Sequence, residues 1–514
     1  MILEIYKNLM DPSAGTYMLN QVLTILVLFL AGFAPVMLIR EKISMKWALL
    51  LSFPVGLSIY SVLGFLLLIT GIRFQVKEIF IAYVVLFLMV MIRRAGSRNK
   101  VNINHQSMVN INPDLQVYIK YLPLIPAVSA LVVIPALIAC SGVLPQTVTN
   151  DSVYYYSVYP SILVHDGFYT ASLDKFLTDV GQTTAIIQCL PFMFGYDETF
   201  GIQHFFNYNF ILIFFTALYD EFKVNGGDKK NRIILPFLCT LFLITSEPFI
   251  VLSGWILSNA YFMGSFFILT CLFIKTSGEE KLSADYVLIM VFISAMLIMS
   301  RMEGGVMVFI LALALSSLDV EGKRLLLIFG LPLGVMELGY YVNLYLKIGI
   351  NPLYSFLDMK TAIIMTGMIA AFIVYIMFIR DRLPKGYIPL LLTLMLILGN
   401  LGLLIINHER YLTNIKAFIM NIRLGNGWGS FAIMILIYIL ILAYEVIRRR
   451  FKDIPVEVFL PAVMVLTVFA VCFARGGVLA VRTSDSGNRV LMEMVPVIAW
   501  CVFIAVFKKK EAGK

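Results

Sequence analysis

Charge is what this sequence has least of. Only 14% of its 514 residues are Asp, Glu, Lys or Arg, where a soluble domain carries about 25%. A water-soluble chain of this length is therefore not expected. Histidine is scarce too: there are four, with no H-x-x-x-H pair. The six cysteines (Cys140, Cys189, Cys239, Cys271, Cys472 and Cys501) show no close pairing, and five lie in apolar stretches. Neither a disulfide framework nor a zinc site is suggested. Internal repeats, low-complexity segments and a soluble domain are also missing. No strand–glycine-rich turn–helix unit of the kind that cradles a nucleotide diphosphate is present.

What is abundant is apolar. The chain is 60% hydrophobic with mean hydropathy +0.89, and its apolar residues fall in blocks of roughly twenty, the length that crosses a bilayer core as helix. The expectation is an all-α polytopic membrane protein, one integral-membrane domain over 1–514, with about fifteen spans (13–15). They fall near 17–39, 47–70, 74–92, 121–141, 198–219, 233–246, 256–274, 285–300, 304–318, 325–346, 361–379, 387–407, 431–447, 455–474 and 490–507. The first is too long and too poorly led by basic residues for a cleaved signal peptide. Segments 233–246 and 285–300 are short enough to be kinked or re-entrant.

The formal net charge of +9 is a topology signal and requires no nucleic acid. Basic joints "REKISMK" (40–46), "RRAGSRNK" (93–100) and "RRRFKD" (448–453), and the tail "KKKEAGK" (508–514), fall on one side if the spans alternate. Cytoplasmic loops collect Lys and Arg. The N-terminus is thus expected outside and the C-terminus in the cytoplasm of a cell-membrane protein. Three substantial external segments follow: 142–197, 408–430 and 475–489. In the first, 153–164 is expected as an amphipathic helix lying on the membrane.

Polar chemistry gathers in these external segments. Asp151, in "VTNDSVYYY", stands just beyond a span; by itself it reads as a helix N-cap. Tyr155 follows at four residues, then Asp166-Gly167, a polar strip "DVGQTT" and an apolar run closing in Phe194-Gly195. Arg301 and Glu303 lie in "MSRMEGG", between two apolar runs too close for an ordinary loop. An intramembrane Arg-x-Glu is expensive and tends to be functional, although a local ion pair bracing a turn is the plainer alternative. Arg489 opens the last span; its plain reading is a snorkelling cation. Arg475 and Arg482 read first as loop charges. His165 and His408-Glu409-Arg410 read first as solvated turns, and the tyrosines near 155, with Trp255 and Trp428, as sugar platforms or an interfacial belt.

The order Asp151, Tyr155, Gly167, Gly195 resembles the first external loop of the C-type glycosyltransferases, membrane enzymes that use polyprenyl-phosphate sugars, such as protein mannosyltransferases and lipid A aminoarabinose transferases. The likeness covers about 150–275 and, more weakly, "GNRVLMEMVP" (487–496). Three features depart from the family pattern: Asn150-Asp151 stands for Asp-Glu, "QTT" for a Lys-Pro-Pro strip, and several spans precede the loop where one is usual. The resemblance implies transfer of a sugar from a polyprenyl-phosphate donor to a hydroxyl of an extracytoplasmic glycan, lipid or protein.

The residue types suit that chemistry. Asp151 would take the acceptor proton as general base. Cations aimed at the leaving phosphate would hold it, with Arg489, Arg301 and Arg482 the candidates; arginine keeps its proton and donates in a fork. Tyr155, Glu247, Asn259, Glu303 and His408 are expected toward the sugar or acceptor. The family's second acid falls on either Glu247 ("TSEPF") or Asn259 ("LSNAYF"), and a divalent metal stays open without a ligand set. Two rivals remain. A lipid-linked polysaccharide polymerase or ligase would place its key residues in a large late loop. A flippase or transporter would place ionisable residues deep in several spans.

Overall fold

The computed structural model describes residues 12–38, 43–73, 154–167, 181–193, 201–224, 231–254, 258–277, 284–301, 303–339, 359–423, 428–429, 431–448, 454–474 and 486–507, with isolated positions between 85 and 92. The expected span 121–141 and most of 74–92 lie outside the described residues. So do Asp151, Gly195, Trp255, Arg475 and Arg482.

Every regular element among the described residues is helical. In chain order they are α1 (Pro12–Leu38), α2 (Met45–Thr70), α3 (Tyr159–Asp166), α4 (Gln182–Met193), α5 (Gly201–Val224), α6 (Asn231–Ile244), α7 (Glu247–Gly254), α8 (Ser258–Thr276), α9 (Ala284–Ser300), α10 (Gly304–Leu315), α11 (Gly322–Leu325), α12 (Met359–Val374), α13 (Ile388–Ile406), α14 (His408–Arg423), α15 (Phe431–Arg448), α16 (Val456–Ala474), α17 (Ser486–Met492) and α18 (Val495–Phe507). A wider-wound turn, Tyr154–Val158, leads into α3. Similar segments prolong α11 (Leu326–Gly330 and Leu333–Leu338) and α12 (Tyr375–Ile379).

Among the described residues seven helical segments are long and apolar enough to cross a membrane, or eight if the pair α6–α7, bent by 66°, is one span. The bend has a local cause. Thr245 and Ser246 turn their hydroxyls back onto the carbonyls of Leu241 and Leu243, which ends α6, and Glu247-Pro248 opens α7 as an acidic, proline-led first turn. The expected 285–300 is a single helix, α9. At 17 and 12 residues, α9 and α10 are shorter than a full span. At 1.5 Å per residue α10 covers only about 18 Å of a core about 30 Å thick.

Burial sorts the helices into centre and rim. α2, α8 and α18 are enclosed on nearly all sides, whereas α12, α13 and α15 turn most of their surface outward. Ile363, Leu398, Ile405 and Ile447 are among the exposed residues on those rim helices. Apolar faces of this extent suit lipid rather than water. In the centre, backbones approach closely where side chains are small. A Cβ on Gly56 of α2 would lie 1.8 Å from the Leu28 carbonyl oxygen, and one on Gly32 of α1 equally close to that of Ser52. Ser52-x-x-x-Gly56 is thus a small-residue crossing of the kind that packs membrane helices.

Successive helices run back and forth, so their connections divide between two ends. At one end Asp220 of α5 receives Lys46 Nζ, Trp47 Nε1 (2.6 Å) and Lys275 Nζ (3.3 Å), tying α2, α5 and α8. There too Phe222 meets Phe507. Arg380, 1% exposed, donates Nε to the Ser316 carbonyl and Nη2 to that of Leu318, both at 2.8 Å, satisfying groups that the end of α10 leaves open. The opposite end carries the ends of α2, α9, α13 and α16 and the starts of α5, α8, α10, α15 and α18.

Candidate functional site: a buried charge cluster at one bundle end

The turn between α9 and α10 has room for only three residues, and Arg301 and Glu303 occupy it. Arg301 donates Nε (2.9 Å) and Nη2 (2.7 Å) to Glu303 Oε1, and Nη1 to Ser258 Oγ at 3.3 Å. Its Nε lies 3.7 Å from Glu493 Oε1. Asn259 Nδ2 donates to that same Glu493 oxygen at 2.5 Å. The side chains are almost closed to solvent: 12% exposed for Arg301, 3% for Glu303 and 0% for Glu493. The local ion pair considered from "MSRMEGG" is therefore real, but it is one edge of a larger cluster reaching α8 and the α17–α18 junction.

Glu493 sits where α17 stops and α18 begins. Its N–H bonds to the Arg489 carbonyl at 3.2 Å, while Val495 and Pro496 start the next helix. Arg489 lies one turn earlier on α17 and is 8% exposed. Its neighbour Asn488 accepts from Trp428 Nε1 at 2.8 Å, and both are fully buried. This anchors the stretch after α14 onto α17. Phe418 of α14 packs edge-on to Trp428 and to Phe469, so the amphipathic α14 lies across this end of the bundle.

The segment expected as the first external one, described from Tyr154 on, enters the same region. Tyr155 is half-buried, its ring tilted against Tyr156. Tyr156 is 2% exposed. Gly167 ends α3 with φ +75° and bonds back to the Leu163 carbonyl. The segment expected as a helix lying on the membrane, 153–164, overlaps α3 and the turn before it. Tyr159 and Leu163 are fully buried, because α3 packs on α4. Tyr159 hydrogen-bonds Gln182, and Thr183 Oγ1 donates to the Met296 carbonyl at 2.9 Å, so Gln182, Thr183 and Thr184 of the polar strip, expected in an external loop, are bundle interior. Just before α4, Gly181 packs directly on the Ser300–Arg301 peptide.

The other expected residues divide. Asn259 joins the cluster. Glu247 faces elsewhere, its Oε2 lying 3.0 Å from where a Cβ on Gly429 would be. His408 opens α14 and is exposed. His165 pairs with adjacent Asp166 at 3.0 Å and is 89% exposed, a solvated turn. Glu337 packs its carboxylate against Gly305, beside the cluster. Sequence reasoning missed Glu493 and Ser258; the available signal was a lone Glu four residues after Arg489, inside an apolar run. Among the described residues no three metal-capable side chains assemble.

No protein-family model, no curated protein and no solved structure matches this chain.

Proposed function

We propose that the protein is a C-type integral-membrane glycosyltransferase that moves a sugar from a polyprenyl-phosphate donor to an acceptor hydroxyl on the extracytoplasmic side. The observation that carries the reading is the packing of Gly181 on the Ser300–Arg301 peptide. Gly181 belongs to the same 142–197 segment as Asp151, and in this reading that segment brings the general base to the arginine cluster. In this reading Asp151 accepts the acceptor proton, and arginines stabilise the leaving phosphate, which needs cations rather than an acid. Arg301 already serves Glu303, so Arg489 is the primary phosphate ligand. Arg301 fixes the cluster, with Arg482 as a further contact. Tyr155 supplies a sugar platform.

The finer architecture belongs to the same proposal: about fifteen spans, the N-terminus and the three polar segments outside, and the C-terminus in the cytoplasm. The experiment is a donor panel with purified protein in nanodiscs. Transfer or hydrolysis of polyprenyl-monophosphate sugar is expected. Activity with a nucleotide sugar and no lipid donor sinks the assignment.

One observation favours a second reading. Glu303, Glu337 and Glu493 are each buried, and intramembrane carboxylates of this kind mark substrate and proton paths in transporters. Proteoliposomes that move a lipid-linked or soluble substrate without chemical turnover would decide for it.

A further inference from the structure

Asn259 and Glu493 hold each other, and each has an oxygen left over. Asn259 Nδ2 donates to Glu493 Oε1. Asn259 Oδ1 and Glu493 Oε2 are buried without a hydrogen-bond partner, and both residues are 0% exposed.

The surroundings do not supply the missing donors. Arg301 spends Nε and Nη2 on Glu303 and Nη1 on Ser258, and stands at 3.7 Å from Oε1. Arg489, one turn back, offers its carbonyl to the Glu493 N–H; its guanidinium acts on Glu493 as an opposite charge, without a hydrogen bond to Oε2. On α7, which packs against α17, Glu247 faces Gly429. On α16 the single charge, Glu457, is in the first turn, at the far end of the bundle.

An ionised carboxylate is an acceptor only. An ionised Glu493 would leave two acceptor oxygens without donors in an interior closed to water, where an unmet polar group is costly and an unmet charge more so. A single proton removes both faults. Placed on Oε2, it turns the carboxyl into a donor whose matching acceptor is the free oxygen of the amide already bound to Oε1. Acid and amide then close a two-bond ring, N–H to Oε1 and O–H to Oδ1.

We propose that Glu493 is a proton-binding site: a carboxylic acid locked onto Asn259 inside the membrane, beside Arg301. The Oε2–H bond forms when a proton arrives and breaks when it passes to a water or phosphate oxygen. Arg301 then stands ready as counter-charge to the carboxylate left behind. The proposal is independent of the glycosyltransferase reading, since an exchangeable proton here serves transferase or transporter alike.

Infrared difference spectra of the purified protein in nanodiscs at neutral pH test it. Wild type minus Glu493→Gln should show a carboxylic-acid C=O stretch that moves on exchange into D2O, and Glu303→Gln should retain that band. Asn259→Leu should shift the band to the higher frequency of an acid without an acceptor. Glu493→Gln should melt as wild type does, because a Gln amide donates and accepts at the same two places as the acid. A difference spectrum without an acid band, a band unmoved by Asn259→Leu, or an unfolded Glu493→Gln protein each overturns the proposal.

Discussion

Asn259 and Glu493 are 234 positions apart in the chain and 2.5 Å apart in the fold, Nδ2 to Oε1. That contact joins the first turn of α8 to the break between α17 and α18. Through Glu493 and Ser258 it also reaches the Arg301 turn. Three helix junctions at one bundle end are thus fastened by side chains whose charges have almost no access to solvent.

The Arg301–Glu303 pair should be expensive to break and cheap to replace. Arg301→Ala leaves Glu303 buried without its guanidinium, and breaking such a pair costs roughly 3–5 kcal/mol. Replacing both partners, Arg301→Met with Glu303→Leu, removes the stranded charge and should recover much of the loss. Thermal melting in nanodiscs checks both. An Arg301→Ala protein melting with wild type would show that the pair braces nothing.

Close approach of α1 and α2 predicts intolerance at one glycine and indifference at another. Gly56→Leu drives a side chain into the Leu28 peptide, and overpacking costs about 1–3 kcal/mol or more. Gly367 on the exposed α12 has nothing within 4 Å of its added Cβ, so Gly367→Leu should fold normally. Folded yield by size-exclusion chromatography separates them; equal yields would contradict the crossing.

How much of this was legible is a matter of range. Apolar blocks of span length announced the helices, and "MSRMEGG" announced a charged tight turn, because both signals are local. Glu493 was silent: its partners lie on α8 and at the α9–α10 turn, and no spacing along the chain brings them together. The strip "DVGQTT" read as loop because Gln and Thr look solvated. Burial became affordable only through Tyr159 and the Met296 carbonyl, contacts that exist only once the helices pack. Glu247 and Asn259, alike as candidates in the sequence, differ in direction: Asn259 faces Glu493, and Glu247 faces Gly429.

Orientation follows from the basic joints. The end bearing Lys46, Asp220 and Lys275 should be cytoplasmic and the Arg301 end external. A reporter fused after Lys514 should read cytoplasmic, and a cysteine at Ser172 should react with an impermeant thiol reagent. A protected cysteine with an external tail would invert the protein and put the charge cluster on the cytoplasmic side.

Arg301 and Arg489, at the same bundle end, should fail in different ways. Arg301 is bound to Glu303 and reaches Ser258 and Glu493, so its loss is first a loss of structure. Arg489 lies on α17 beside the anchored Asn488–Trp428 contact, and its proposed role is a charge-assisted bond to the donor phosphate. Such a bond is worth roughly 1.5–3 kcal/mol, or about 10- to 150-fold in affinity. Arg489→Ala should therefore raise the KM for a polyprenyl-phosphate sugar by that factor, leave the acceptor KM near wild type and lower the melting temperature less than Arg301→Ala does. Arg489→Lys should restore part of the loss, since it keeps the charge but not the fork. Steady-state kinetics with donor and acceptor varied separately, alongside melting curves, make the comparison. If Arg489→Ala changes both KM values equally, or acts only through stability, the phosphate contact must be assigned elsewhere.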